Sequence, residues 1–333
     1  MTEGVAERTT NPFEAYRDLA RNGRNGPWRI LFGALAVATV ALVGTFLLLG
    51  AGVAIQRLGW LPSVFPPPAD VIADPIQSFV DSRAGTALMI LSLGALWPGV
   101  WLALRLIHRR PLASIFGTDG RLSRIDFVKG LAATALAGLP VMVTALLFDP
   151  TLLRNDIAIG AWIAALPVLL LFVLVQTSAE EVAFRGYLMQ ALAGRFRSPL
   201  VWAVIPALLF TLGHWDGREI PSLNLLNLSL IGLFAAMATF LVWRTGNLAA
   251  AIGLHFGNNV IGLLVVSPVD FGRPISLFTS RGASDPGWTI LEMALLAGTQ
   301  LIFFAIVLAF LLHPASPLRL NGAITDPGDQ GKP

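Results

Sequence analysis

Long apolar runs separated by short polar loops set the pattern of this chain, and a helix needs about 20 predominantly apolar residues to cross the hydrocarbon of a bilayer. Eight runs are candidates: Ile30–Ile55, Thr86–Ile107, Phe127–Phe148, Ile157–Ala179 (continuing as helix toward Leu192), Leu200–His214, Leu223–Trp243, Leu248–Val266 and Thr289–Leu312. The fifth is the shortest and carries Pro206. The expected fold is all-α, a polytopic membrane helical bundle of about eight transmembrane helices. Residues 1–27 read as an N-terminal tail, 28–313 as the membrane-embedded domain, and 314–333 as a disordered C-terminal tail rich in Pro, Gly and Asp.

Charge orients the bundle, because Lys and Arg concentrate in cytoplasmic loops close to the spans. Arg8, Arg17, Arg21 and Arg24 precede the first run; Arg105, Arg109, Arg110, Arg121, Arg124 and Lys129 follow the second; Arg195 and Arg197 follow the fourth; Arg244 follows the sixth. The alternate loops balance arginine with acid, as in Asp216, Arg218 and Glu219. This alternation predicts both termini in the cytoplasm of a cell whose cytoplasmic membrane holds the chain, and an even number of spans. Between the first two runs, Pro66–Pro68 and a weakly amphipathic Val71–Val80 predict an exported loop with an interfacial helix. Pro111–Ile125 reads as a segment lying on the cytoplasmic surface.

Composition supports the same class: of 333 residues, 55% are hydrophobic and 13% charged, against about 25% charged in soluble domains. The net charge of +3 sits on loop arginines, which assigns the basicity to topology and lipid headgroups and makes nucleic acid a poor partner. There is no cysteine, so disulfides, thiolate nucleophiles and thiolate metal sites are excluded. The first 27 residues are polar and charged, without the apolar core and cleavage site of a removable signal peptide.

What does not belong in lipid is the polar set within these runs. Gln176-Thr-Ser-Ala-Glu180-Glu181-Val-Ala-Phe-Arg185 places two carboxylates and an arginine at the end of an almost wholly apolar segment. A charge at the bilayer centre costs from about 2.5 kcal/mol upward, so such groups persist only with partners or water. Of four histidines, His214 and His255 also sit in apolar runs, the second followed at helical spacing by Asn259. Residues four apart share a helix face, which predicts that Arg185 neutralises Glu181 and leaves Glu180 free, that Phe210 shields His214, and that His255 and Asn259 act together. Gly253, Gly257 and Gly262 make the seventh run thin enough for close helix approach. Counted at about 1.5 Å per residue, His214 and His255 differ in depth by about 10 Å, a gap that closes if the fifth run starts outside the hydrocarbon or kinks at Pro206.

Such a set suits hydrolysis of an amide bond within a membrane, by either of two routes. In one, Glu180 or Glu181 with His214 and His255 holds a divalent metal, zinc first, whose bound water attacks the carbonyl. In the other, Glu180 and His214 activate water directly while His255 and Asn259 stabilise the oxyanion. Readings from other classes are a proton or cation relay in a transporter and a non-proteolytic, peptide-binding immunity scaffold.

The three motifs Glu180-Glu181-x-x-x-Arg185, Phe210-x-x-x-His214 and His255-x-x-x-Asn259, in this order on successive membrane segments, resemble the CPBP family of intramembrane proteases. That family comprises CAAX prenyl proteases of the Ras-converting type and prokaryotic relatives, some linked to bacteriocin self-immunity. The resemblance covers roughly 168–266. It implies an eight-helix bundle with a catalytic cavity open to the membrane, Glu180 as water activator, Glu181 paired with Arg185, His214 as second activator or ligand, and His255 with Asn259 as ligand or oxyanion pair. The resemblance does not give the substrate; the expected one is a membrane-associated peptide or protein.

Overall fold

The structure is a computed structural model and describes residues 11–58, 79 and 81–321. It is a helical bundle: α1 (Pro12–Asp18), α2 (Pro27–Arg57), α3 (Arg83–His108), α4 (Arg124–Phe148), α5 (Ile159–Arg195), α6 (Leu200–Leu212), α7 (Pro221–Thr245), α8 (Ala249–Val265) and α9 (Ile290–Leu312). Local chemistry starts several of them. Ser82 accepts from the Gly85 amide, Ser123 from the Asp126 amide, and Thr289 with Glu292 forms a complete capping box, each satisfying amides that a helix start leaves unpaired.

Six of the described helices, α2, α3, α4, α5, α7 and α9, are long and apolar enough to cross a membrane; α6 and α8, at the fifth and seventh expected positions, are shorter. Their shortness has a physical reason in the case of α8: Ala249 through His255 are all buried, so this helix is solvated by protein and need not span the lipid by itself. The long helices instead expose bulky apolar side chains, among them Phe32, Phe46 and Leu47 on α2 and Ile290 and Leu291 on α9. That distribution belongs to a multi-pass membrane protein, in which lipid covers the outer face.

Close packing of α8 on α4 follows from its glycines. A β-carbon built on Gly253 would lie 2.1 Å from the carbonyl oxygen of Phe127, and one on Gly130 of α4 2.3 Å from that of Ala250. Backbone meets backbone there, as small residues permit within membranes. Gly257 packs on Thr134. Gly262, expected to act alike, faces open space. Gly253→Val is therefore expected to destabilise the fold by about 1–3 kcal/mol or more through overpacking. Gly262→Ala should stay within about 0.5 kcal/mol of the parent. Thermal unfolding in detergent of both variants checks the contrast.

At one end of the bundle the α4–α5 and α8–α9 loops join in a small sheet of β1 (Leu153–Arg154), β2 (Val266–Pro268) and β3 (Phe278–Ser280), ordered β1-β3-β2. β1 pairs antiparallel with β3 (Leu153 opposite Thr279) and β2 parallel with it (Val266 opposite Phe278). Trp162 of α5 clamps this cap by donating to the carbonyls of Leu264 and Ile275 at 3.2 and 3.1 Å.

At the opposite end, segments expected as tails fold back. Asn11 caps α1, Pro12 stands at its first turn, and Phe13 and Tyr16 are buried. The Phe13 ring lies 4.8 Å from that of Trp202, and the Tyr16 hydroxyl donates to the Ile115 carbonyl at 2.8 Å. Burial pushes the Tyr16 phenol far above its ordinary pKa. Ile115 is itself fully buried, so the Pro111–Ile125 segment tucks beneath α1 in part instead of lying wholly on the surface, while Ile125 stays exposed. Leu320 is buried and its amide bonds to the Leu311 carbonyl. The expected interfacial helix Val71–Val80 lies outside the described residues apart from Phe79.

Candidate active site

Four helices contribute side chains to the site. α5 supplies Gln176, Glu180, Glu181 and Arg185, with regular α-helix ending at Glu181 and a wider π-helical stretch running Val182–Met189. Widened turns of this kind recur at functional sites. α6 supplies Phe210 and, just past its end, His214; α7 supplies Phe234; α8 supplies His255 and Asn259.

Glu181 is completely buried, and its Oε1 accepts from Arg185 Nη1 at 3.0 Å and from His255 Nδ1 at 2.9 Å. Arg185, 1% exposed, also donates to the Ala235 carbonyl at 3.4 Å and lies over the Phe210 ring at 4.3 Å. A buried carboxylate thus gains an ion pair, a hydrogen bond and a fixed neighbour, which offsets a desolvation cost that neither charge would bear alone. Because ionised Glu181 only accepts, Nδ1 of His255 must carry its proton. The other ring nitrogen, Nε2, stands 3.4 Å from Oε2 of Glu180. A neutral imidazole would face that carboxylate lone pair to lone pair, so the gap calls for one shared proton or a bridging water.

Glu180 is further held by Gln176, whose Nε2 donates to Oε2 at 3.1 Å, and Asn259 Nδ2 donates to Gln176 Oε1 at 3.1 Å. The rings of Phe210 and Phe234 wall His255 at 5.9 and 5.0 Å between centroids. His214 occupies a different position. Its Nδ1 bonds to the Phe210 carbonyl of its own turn at 2.8 Å, its ring is 4.7 Å from that of Phe210, and it is exposed. Glu181, Arg185 and His255 therefore form one hydrogen-bonded group and Glu180, Gln176 and Asn259 another, the two facing each other at 3.4 Å between His255 Nε2 and Glu180 Oε2, while His214 stands beside the Phe210 ring.

A cavity of about 570 Å³ joins them: Gln176, Glu180, His214, His255 and Asn259 all line it, with Met89 and Leu93 of α3, Leu296 and Phe304 of α9 and the Asp216–Glu219 loop at its borders. The expected difference in depth between His214 and His255 does not separate them. α6 opens with a π-helical stretch Leu200–Val204 and then Pro206, so its rise is not that of a regular helix. At the cavity's loop border Asp216 is held below the usual carboxylate range by hydrogen bonds from the Arg218 side chain and amide. Burial pushes Glu219 up.

The candidate metal set Glu180, His214 and His255 fares differently. Among the described residues no group of three or more His, Cys, Asp or Glu side chains is placed to hold a metal ion. His255 Nδ1 is held by Glu181 and His214 Nδ1 by its own backbone, while His255 Nε2 faces Glu180 Oε2 at 3.4 Å; a ligating imidazole also holds its other nitrogen on a protein acceptor. Gln176 is the member of the site that motif reading passed over; its signal was the four-residue spacing to Glu180.

Comparison with known proteins bears on the same stretch. Residues 162–261 match the model of the family described as type II CAAX prenyl endopeptidase Rce1-like. Over these residues the chain is similar to that family. The matched stretch runs from α5 into α8 and contains every residue of the motif set, Glu180 through Asn259. The chain is also 27% identical over 308 residues to a Bacillus subtilis (strain 168) protein named uncharacterized protein YyaK, an alignment covering 90% of this chain and 97% of that one. No solved structure matches the chain.

Proposed function

We propose that this protein is an intramembrane endopeptidase of the cytoplasmic membrane, with both termini cytoplasmic, that hydrolyses a peptide bond in a membrane-associated peptide or protein. The observation carrying the reading is the pairing of His255 with two carboxylates of unlike situation. Glu181 is neutralised by Arg185 and fixes the imidazole, whereas Glu180 lines the cavity and faces the second ring nitrogen. A transport relay would not require one carboxylate to be locked in an ion pair with arginine beside one that has no arginine partner, and the Rce1-like match supports peptide hydrolysis.

In the proposed reaction Glu180 takes a proton from a water in the cavity as the water oxygen adds to the substrate carbonyl. The carbonyl oxygen becomes an oxyanion and accepts hydrogen bonds from Asn259 Nδ2 and from His255 Nε2, which keeps the proton that it shares with Glu180 in the resting pair. Glu180 then gives its proton to the leaving nitrogen, and the C–N bond breaks to release an amine and a carboxylic acid, whose proton passes to the amine. General acid–base assistance of this kind supplies about 10²–10⁴-fold, and one preorganised oxyanion donor about 10²–10³-fold. His214 borders the entry and is assigned an assisting role through its free Nε2.

The test uses the purified full chain in liposomes with two internally quenched probes, a farnesylated CAAX-type peptide and its unprenylated counterpart. Cleavage of either supports the reading, and their ratio gives the substrate preference; intact probes together with uncoupler-sensitive cation flux would replace it with transport. If Glu180 activates the water directly, cleavage is expected to survive a strong divalent-metal chelator within about twofold. Abolition by chelator and recovery with zinc would instead return Glu180, His214 and His255 to the role of ligands.

A further inference from the structure

Resting on the proteolytic reading of the same cavity, the hydrogen bonds around Gln176 carry a further role. Asn258 Nδ2 donates to Asn259 Oδ1 at 3.3 Å, Asn259 Nδ2 donates to Gln176 Oε1 at 3.1 Å, and Gln176 Nε2 donates to Glu180 Oε2 at 3.1 Å. All four residues line the cavity, and Gln176 is 6% exposed. We infer that Gln176 is a positioning residue: it is the central link of a one-directional carboxamide chain that holds the water-activating carboxylate and the oxyanion donor in fixed register.

The direction is dictated by chemistry. An ionised carboxylate only accepts, so Gln176 must turn its nitrogen to Glu180 and its oxygen to Asn259. A primary amide has one acceptor oxygen and two N–H donors, so Asn259 must then turn its nitrogen to Gln176, which leaves its oxygen for Asn258. One N–H of Asn259 is used in this link and the other remains for a substrate oxyanion. Reversing Gln176 would put carbonyl oxygens against Glu180 and an acceptor where a donor is needed. Each link is also polarised by the charge at the end of the chain, which strengthens it in a site of low dielectric. Gln176 needs no contact with substrate to do this.

The inference is tested with Gln176→Leu, similar in volume but without polar atoms, in the full-length protein and with the two quenched peptides. A misplacement of reacting groups by about 1 Å costs about 10²-fold, so kcat is expected to fall by about that factor with KM within about threefold of the parent. In an Asn259→Ala background the same change should cost less than about threefold, because the two residues act as one unit. Losses that multiply independently, or a rise in KM with kcat unchanged, would overturn the inference. If the parent protein cuts neither peptide, the proteolytic reading falls, and the link is then judged on thermal unfolding of the same four proteins. Non-additive shifts in Tm for Gln176→Leu and Asn259→Ala support the chain, and additive shifts overturn it.

Discussion

Glu180→Gln is expected to reduce cleavage of the quenched peptides by about 10³–10⁴-fold while the protein still inserts, folds and unfolds at nearly the parent temperature, because it removes the proton acceptor and keeps the shape. Glu180 makes no ion pair with an arginine; its partners are the Gln176 amide and, at 3.4 Å, His255 Nε2. A glutamine oxygen still accepts from Gln176, so the neighbouring amides keep their directions. What is lost is a group able to take a proton from water and return it to the leaving nitrogen. The matching control, His255→Ala, should lose activity to a similar extent, and the two losses together should fall well short of their product. Far-ultraviolet circular dichroism and size exclusion in detergent, set beside the cleavage rates, separate loss of chemistry from loss of fold.

The second large effect is on stability. Arg185→Met is expected to destabilise the folded protein by about 3–5 kcal/mol, since it strands Glu181 as an uncompensated buried charge. Glu181 is 0% exposed and has Oε2 without a hydrogen-bond partner already, so little around it can replace the guanidinium. His255 Nδ1 would remain as a donor to Oε1. The variant Glu181→Gln with Arg185→Met removes both charges and is expected to recover much of the loss, as buried pairs replaced together are often tolerated. Thermal unfolding of the two variants reads the difference; equal instability of the single and double changes would show that the arginine matters for packing on Phe210 and not for charge.

Much of this site could be read from spacing because charge in an apolar run has few explanations. The Glu181–Arg185 pair follows from i,i+4 geometry, and the structure holds it at 3.0 Å. Asn259 was paired in expectation with His255 on its own helix, yet its hydrogen bonds run to Gln176 across the interface and to Asn258 beside it. Helix periodicity can say which residues share a face, but it cannot say which neighbouring helix that face meets. The same limit hid Gln176: a carboxamide carries no net charge, so nothing in the composition marks it out from a polar residue near a span end. The metal grouping shows a related limit, since ligand types at plausible spacing do not reveal that Nδ1 of His255 is held by Glu181 while Nε2 faces Glu180.

The fold was legible to a similar depth. Hydropathy located each long helix, but it also scored the fifth and seventh segments as spans, although α6 and α8 are shorter. Hydropathy reports dryness alone, and α8 is dry because protein surrounds it. The terminal segments were read as tails from their polarity. Yet Phe13, Tyr16 and Ala20, spaced at helical intervals, are buried against the bundle, and a short amphipathic helix beside a membrane domain gives too weak a pattern to stand out from a charged leader.

The central claim is that one water, activated at Glu180 between α5 and α8, cuts a peptide bond. It is tested most directly by incubating the parent protein and Glu180→Gln in liposomes with the quenched peptides in water enriched in ¹⁸O, and reading the products by mass spectrometry. The expected result is a single cut by the parent protein, with one ¹⁸O atom in the new carboxylate and no such product from the variant. Peptides left whole by the parent, or the same labelled product made at the same rate by the variant, would contradict it.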